Sequence, residues 1–342
     1  MKETVLVTGG TGFVAGWCIA ELLQRGYRVR TTVRDLAKEP AARAAVASVA
    51  KDTAGLSFHV AELLDDSGWA EAMAGCDYVL HVASPLGGAP AGDREAFIAP
   101  AREGTLRVLK AAVNAGVKRV VMTSAAATAR PPLSSGLVSD ETMWADADDP
   151  QFDAYRVSKI LAERAAWDFM ETNSGSTEFA TILPGAVFGP VLAAGNLGSV
   201  RIIRDLLRGK PAFMPRLGFW VVDVRDLADV HIRAMTAPAA AGERFIAAGD
   251  FLWLEEIAKA LREGLGARGA KAPTRRLPSL LVRLLVPFLR DLRPLAPLVG
   301  RKFGLSSQKA RGMLGFSPRP AAATVVDCAK SLIDGGLVRG DS

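Results

Sequence analysis

The sequence predicts an α/β fold, a doubly wound parallel sheet with a smaller, mostly helical lobe beside it. Three features of the 342 residues carry this prediction. Short runs of apolar β-formers alternate with helical patterns through the first half. These runs lack polar alternation, so the sheet they build is parallel and covered on both faces. The first run also meets a glycine-rich turn, and a helical pattern opens directly behind it.

In chain order, residues 4–7 form the first strand and Thr8-Gly9-Gly10-Thr11-Gly12 the turn. Trp17, Ile19, Ala20, Leu22 and Leu23 then mark a helix that ends at Gly26. Glycines in such a turn let the backbone approach a pyrophosphate, and the free N–H groups opening the helix face its negative charge. The spacing Gly9-x-x-Gly12-x-x-Ala15 is a weak signal alone, since plain connectors in other α/β proteins share it. A second strand at 29–33, behind the helix, gives it the required context. Residues 35–49 read as helical, 56–60 as a third strand, 71–74 as part of a short helix and 78–82 as a fourth strand. A strong helix follows at 104–115 and a fifth strand at 119–123.

Parallel sheets of this kind bind ligands at the carboxyl ends of their strands. The second strand ends in Val33-Arg34-Asp35. An acid here suits the ribose hydroxyls of NAD, whereas a guanidinium suits the extra 2′-phosphate of NADP. Arg34 directly follows the strand and Lys38 stands one helical turn on, which favours NADPH over a merely solvated surface arginine. The third strand leads into Ala61-Glu62-Leu63, where an acid can meet an adenine amino group. The fourth leads into Ala83-Ser84-Pro85 and a Gly/Ala/Pro-rich loop to Asp93 that is expected to border the substrate.

Past the fifth strand, Asp153-Ala154-Tyr155-Arg156-Val157-Ser158-Lys159 opens a helix running to about Met170. Residues four apart share a helical face, so Tyr155 and Lys159 are stacked neighbours. A phenol has a reference pKa of about 10, and a nearby ammonium is expected to lower it and ready it for proton exchange with a carbonyl oxygen.

Together these stretches resemble the extended short-chain dehydrogenase/reductase family, whose two signatures appear as Thr8-Gly9-Gly10-Thr11-Gly12-Phe13 and Tyr155-x-x-x-Lys159. Thr32-Val33-Arg34-Asp35, His81-Val82-Ala83-Ser84-Pro85, the run from Pro184 to Pro190 and the run from Val222 to Ala228 are similar to the dihydroflavonol reductase-like carbonyl and aldehyde reductases. The resemblance reaches from the N-terminus to about Leu337 and implies a Rossmann-type fold of the NAD-dependent epimerase/dehydratase kind. It implies that Tyr155 donates the proton and that Lys159 holds the nicotinamide ribose and tunes Tyr155. Pro184, Gly185 and Val187 would lie by the nicotinamide. The remaining expected NADPH contacts are Gly9, Thr11, Gly12, Phe13, Val14, Arg34, Lys38, Glu62, Leu63, Val82, Ala83 and Thr123. The family usually carries a Ser or Thr where this chain has Ala125. Ser124, one place early, points to the other face of a regular strand but stays a catalytic candidate if the register slips. Glu62 stands where relatives mostly have Asp.

The second half is less regular. Residues 179–183 read as a sixth strand, 198–207 as a helix, 221–235 as a strand-to-helix return, 245–248 as a late strand and 306–314 as a capped helix. The expected division is a dinucleotide-binding unit from 1–189 plus 220–250, and a small substrate lobe from 190–219 plus 251–330.

The net charge of +6 is uneven: residues 271–311 hold ten Lys or Arg against the single acid Asp291. With no accompanying motif, this argues against nucleic acid as a partner. The Leu and Val spacing from 277 to 299, with Arg283, Arg290 and Arg293 between, reads as a lobe segment packed inward and broken by Pro287, Pro294 and Pro297, rather than a membrane-surface helix. Cys18, Cys76 and Cys328 have no short spacing, and His59, His81 and His231 have no ligand spacing, so no metal is expected. His59 and His81, in strand-like runs, read as structural. Scattered thiols, no room for a signal peptide before the first strand and no long apolar run fit a cytoplasmic protein, as monomer or homodimer, without an integral membrane segment. The function expected is NADPH-dependent reduction of a small, hydrophobic aldehyde or ketone. The alternatives are an epimerase or dehydratase of the same fold and a non-catalytic NADP-binding sensor.

Overall fold

The computed structural model describes residues 2–84, 95–195, 197–278, 281–282 and 298–338. The main sheet is built from β1 (Thr4–Val7), β2 (Arg28–Val33), β3 (Leu56–Val60), β4 (Tyr78–His81), β5 (Arg119–Thr123), β7 (Glu178–Pro184) and β11 (Glu243–Ala247), while β6 (Val138–Ser139), β8 (Ala186–Phe188), β9 (Phe213–Pro215) and β10 (Gly218–Asp223) lie outside it. The strand order is β11-β7-β5-β4-β1-β2-β3, and every pairing is parallel. The chain runs outward from β1 to β3, then crosses back to β4 on the far side of β1. That reversal leaves a crevice beyond the carboxyl ends of β1 and β4.

Alternate residues of each strand feed opposite faces. Val5 and Val7 join α1 (Phe13–Gln24), α2 (Glu39–Ala47) and α7 (Val224–Thr236) in one core. Leu6 faces the other way, with α3 (Trp69–Met73), α4 (Glu95–Asn114) and α5 (Ala154–Asn173). A third apolar core, with Phe188, Ile203, Leu261 and Cys328 fully buried, joins α6 (Val200–Leu207), α8 (Leu254–Leu265) and the helix Ala321–Asp334.

Several expectations are corrected here. The strand at residues 218–223 lies in its own three-stranded sheet with β8 and β12 (Phe251–Trp253), and only the helix behind it, α7, returns to the main sheet. Ala310, Leu314 and Phe316, from the stretch assigned to the lobe, pack into the main core beside α7. The helix expected at 104–115 begins at Glu95, with Pro100 inside it. The substrate-bordering loop from Pro85 to Asp93 and the arginines of 283–293 lie outside the described residues. Among the described residues no helix is long and apolar enough to cross a membrane.

Candidate active site

A single cleft of about 1840 Å³ runs along the carboxyl edge of the sheet. One end is the β1–α1 turn. Gly9 sits at φ +75°, and a Cβ there would come 3.0 Å from the Ala83 methyl, so the turns after β1 and β4 touch at the strand reversal. Any larger residue would meet both the wrong side of φ space and that wall. Gly12 caps α1 with no side-chain hydrogen bond, so the first turn of the helix presents its N–H groups without a protein cap. Thr8 fastens the crevice from below: its hydroxyl accepts from the Val82 and Ala83 N–H groups at 3.0 and 2.9 Å, and therefore donates to His81 Nδ1 at 3.0 Å. His81 is fully buried and held neutral, its pKa pushed down to about 3 by burial and by Lys159.

Gly9, Thr11, Gly12, Phe13, Val14, Arg34, Lys38, Glu62, Leu63, Val82 and Ala83 all border the cleft. Arg34 and Lys38 are exposed there. Asp35, the acid beside Arg34, turns away: its carboxylate accepts from the Ala37 N–H at 2.9 Å and caps the short turn Leu36–Lys38. Farther along lie Thr123, Pro184, Gly185 and Val187. Gly185 has its own steric reason, since a Cβ would fall 2.3 Å from the Trp220 carbonyl oxygen. The Thr123 hydroxyl is not free for a ligand. His231 Nδ1 donates to the Leu227 carbonyl at 2.7 Å, leaving Nε2 to accept from Thr123 at 2.7 Å. What Thr123 offers toward α5 is its carbonyl.

Asp153 caps α5 by accepting from the Arg156 N–H at 2.8 Å, which fixes where the helix starts and so aims Tyr155. Tyr155 leaves 36 % of its surface open at the cleft, while the protein around its hydroxyl pushes the phenol up to about 12. The expectation that Lys159 lowers that value is corrected: burial acts first, Arg156 opposes it and Asp153 adds to it. Lys159 is instead drawn under the helix, 5 % exposed, where it donates to the Thr123 carbonyl at 3.3 Å. Burial pulls the ammonium down to about 8, against the pull of Glu163.

Ser124 is also corrected. It borders the cleft, but its N–H continues the ladder to the Ile182 carbonyl at 2.7 Å and its hydroxyl donates to Glu163 at 2.5 Å. The strand is regular there, so the hydroxyl faces the interior and Ala125 faces the cleft. Glu163, wholly buried, also accepts from Thr181 at 2.9 Å and from the Arg244 guanidinium at 2.9 Å. Sequence reasoning overlooked it, although Tyr155, Lys159 and Glu163 stand at successive steps of four along one helix face. It overlooked Arg130 too, a buried cleft residue directly after the alanine-rich run that follows Ser124.

Residues 5–248 match the model of the NAD dependent epimerase/dehydratase family. The chain belongs to this family. Similar proteins include the ketoreductase azaE of Aspergillus niger, 33 % identical over 98 % of each chain. The cinnamoyl-CoA reductase CAD2 of Medicago truncatula is 32 % identical over 97 % of this chain and 96 % of its own. Among solved structures, Gre2 of Candida albicans in complex with NADPH superposes with a TM-score of 0.80 at 26 % identity, covering 97 % of this chain and 99 % of that one.

Proposed function

We propose that this chain is an NADPH-dependent oxidoreductase that reduces the carbonyl of a hydrophobic aldehyde or ketone to an alcohol. The observation that carries the reading is one continuous cleft. It holds the uncapped start of α1 and the exposed Arg34 at one end, and Tyr155 above the buried Lys159 farther along. The residues fit the cofactor: the Gly9 turn leaves room for a diphosphate, Arg34 and Lys38 suit the 2′-phosphate, and Glu62 with Leu63 flank an adenine position. The reading is supported by ketoreductase and NADPH-bound Gre2 relatives.

NADPH supplies a hydride to the carbonyl carbon when bound. The chain's own part is the proton and the position. With its pKa about 12, the Tyr155 phenol is protonated at neutral pH, the state a proton donor to a developing alkoxide needs. Lys159, below it, can turn its ammonium from the Thr123 carbonyl to a ribose hydroxyl. In this reading 1–189 plus 220–250 hold the cofactor, and 190–219 plus 251–330 wall the substrate end with Leu217, Phe219 and Phe303.

Tyr155→Phe is the direct test, with NADPH oxidation followed against a panel of aromatic and aliphatic carbonyls. Turnover should fall about 10²–10⁴-fold while NADPH affinity changes little. A fully active Phe variant would assign the proton to another group. The sensor reading keeps one observation in its favour, because Ala125 and the inward Ser124 leave no strand-end hydroxyl beside Tyr155. No turnover of any carbonyl, with NADPH bound, would make it the better one.

A further inference from the structure

Arg130 follows the short turn Ala126–Ala129 behind β5 and exposes only 6 % of its surface, yet it borders the cleft. Its guanidinium lies 4.2 Å over the ring of Phe152, a buried residue just before α5. That contact uses the face of the cation and none of its five N–H donors. No carboxylate among the described residues reaches ion-pair distance. Asp149 and Asp153 attract the cation from farther off, but their carboxylates are bonded elsewhere: Asp149 accepts from the Gln151 N–H at 2.8 Å, and Asp153 holds the Arg156 N–H and its guanidinium. Arg156 is itself a repelling neighbour of Arg130. Beside it, Ala126, Leu305 and Trp220 line the cleft from one apolar cluster, and Arg156 lines it as a second cation that already has its carboxylate in Asp153.

An arginine that exposes 6 % of its surface, borders the cleft and makes no side-chain hydrogen bond among the described residues keeps its donors for a partner that enters the cleft. It sits at the Tyr155 end of the cleft, near Phe152 and Arg156, rather than at the glycine turn. We infer that Arg130 is an anion subsite of the substrate pocket, and that the preferred carbonyl substrate carries a carboxylate on an otherwise apolar body. Arg156 has its carboxylate in Asp153, whereas Arg130 has none at ion-pair distance among the described residues, so it can take one negative charge, and its planar fork matches a carboxylate bidentately. The inference rests on the reductase reading for the word substrate; the subsite itself does not.

Two measurements separate the two. In the first, 4-formylbenzoate and its methyl ester are compared as NADPH-dependent substrates of the parent, Arg130→Met and Arg130→Lys proteins. The ratio of kcat/KM for acid over ester should exceed one in the parent and fall about 10- to 100-fold in Arg130→Met, with Arg130→Lys between them. In the second, benzoate and benzamide are titrated calorimetrically into each protein, with and without NADP⁺. Benzoate should bind Arg130→Met at least about 10-fold more weakly than the parent, with benzamide unaffected. Circular dichroism and thermal melts establish that each variant is folded, and Arg130→Lys keeps the charge should Arg130→Met not fold. Equal benzoate affinity in parent and variants, or no benzoate binding to the parent, overturns the subsite. Ester turnover alongside that result leaves the reductase reading standing. Failure of both aldehydes hands the reductase reading to the wider carbonyl panel, and the benzoate titration still decides the subsite.

Discussion

Replacing Lys159 with methionine should make the cofactor-free protein more stable at neutral pH. Lys159 is 5 % exposed, and its ammonium has one 3.3 Å hydrogen bond, to the Thr123 carbonyl. Burial lowers its pKa from 10.5 to about 8 although Glu163 pulls the other way. A lysine with a folded pKa below its unfolded value holds its proton less well in the folded chain. The resulting penalty is fully present below about pH 8 and fades as pH rises from there to 10.5, where the unfolded chain loses its proton too. At about 1.36 kcal/mol per pH unit, the gap amounts to about 3 kcal/mol at pH 7. Methionine keeps an unbranched chain of similar length, drops the charge and forfeits a hydrogen bond of about 1 kcal/mol, so the net gain is about 2 kcal/mol. Urea unfolding of parent and variant at pH 7 and pH 10 measures it, and the gain should shrink toward zero at the higher pH. A variant less stable than its parent at pH 7, or a difference identical at both pH values, would refute the reasoning. The same variant should lose turnover, which would make Lys159 a residue kept for chemistry at the expense of the fold.

Arg34→Ala should remove most of a preference for NADPH over NADH, since a charge-assisted contact to phosphate contributes roughly 1.5–3 kcal/mol; equal affinities in the parent, by titration, would end that assignment. Ala125→Ser places a hydroxyl on the cleft side of the strand end and should raise turnover by about 2- to 10-fold through one neutral hydrogen bond; unchanged kcat across the carbonyl panel would show that the position does not meet the oxygen. Ser124→Ala should lower stability by about 1 kcal/mol in urea, since Glu163 keeps Thr181 and Arg244, and should change turnover by less than about twofold. A large loss of kcat would mean that the hydroxyl turns to the cleft in the working enzyme.

What could be read in the sequence is what depends on local pattern. The seven strands of the main sheet were visible as apolar runs, because a strand covered on both faces needs no polar face, and the Gly9–Gly12 turn was visible because only glycine serves there. The strand-to-helix return at 221–235 was visible as well, but not the partners of its strand: β8 and β12 are three residues each, and their pairing joins segments more than thirty residues apart. Helix α4 is eight residues longer than the expected 104–115 stretch, because Pro100 argues against a helix ahead of Gly104; Gly104 is small because Leu63 packs against that turn, 2.8 Å from where a Cβ would sit.

The candidate site divides along the same line. Tyr155 and Lys159 share a helix face, which spacing reveals. The electrostatics between them do not follow from spacing, because burial overrides the pair: it raises the phenol and lowers the ammonium. Ser124 shows why. Its orientation is set by Glu163, a carboxylate with no exposed surface that must be supplied with donors, and Ser124 just past β5, Thr181 of β7 and Arg244 of β11 supply them. A hydroxyl recruited to satisfy a buried charge cannot also serve the cleft, so the departure at Ala125 is not compensated by its neighbour. Arg130 is the converse case. It is buried as deeply as Arg244, but Arg244 has its carboxylate and two backbone carbonyls, while among the described residues Arg130 meets an aromatic face and no ion-pair partner. Among the described residues one guanidinium is completed and the other faces the cleft, a difference that depends on contacts between distant segments and has no signature in the residues flanking either one.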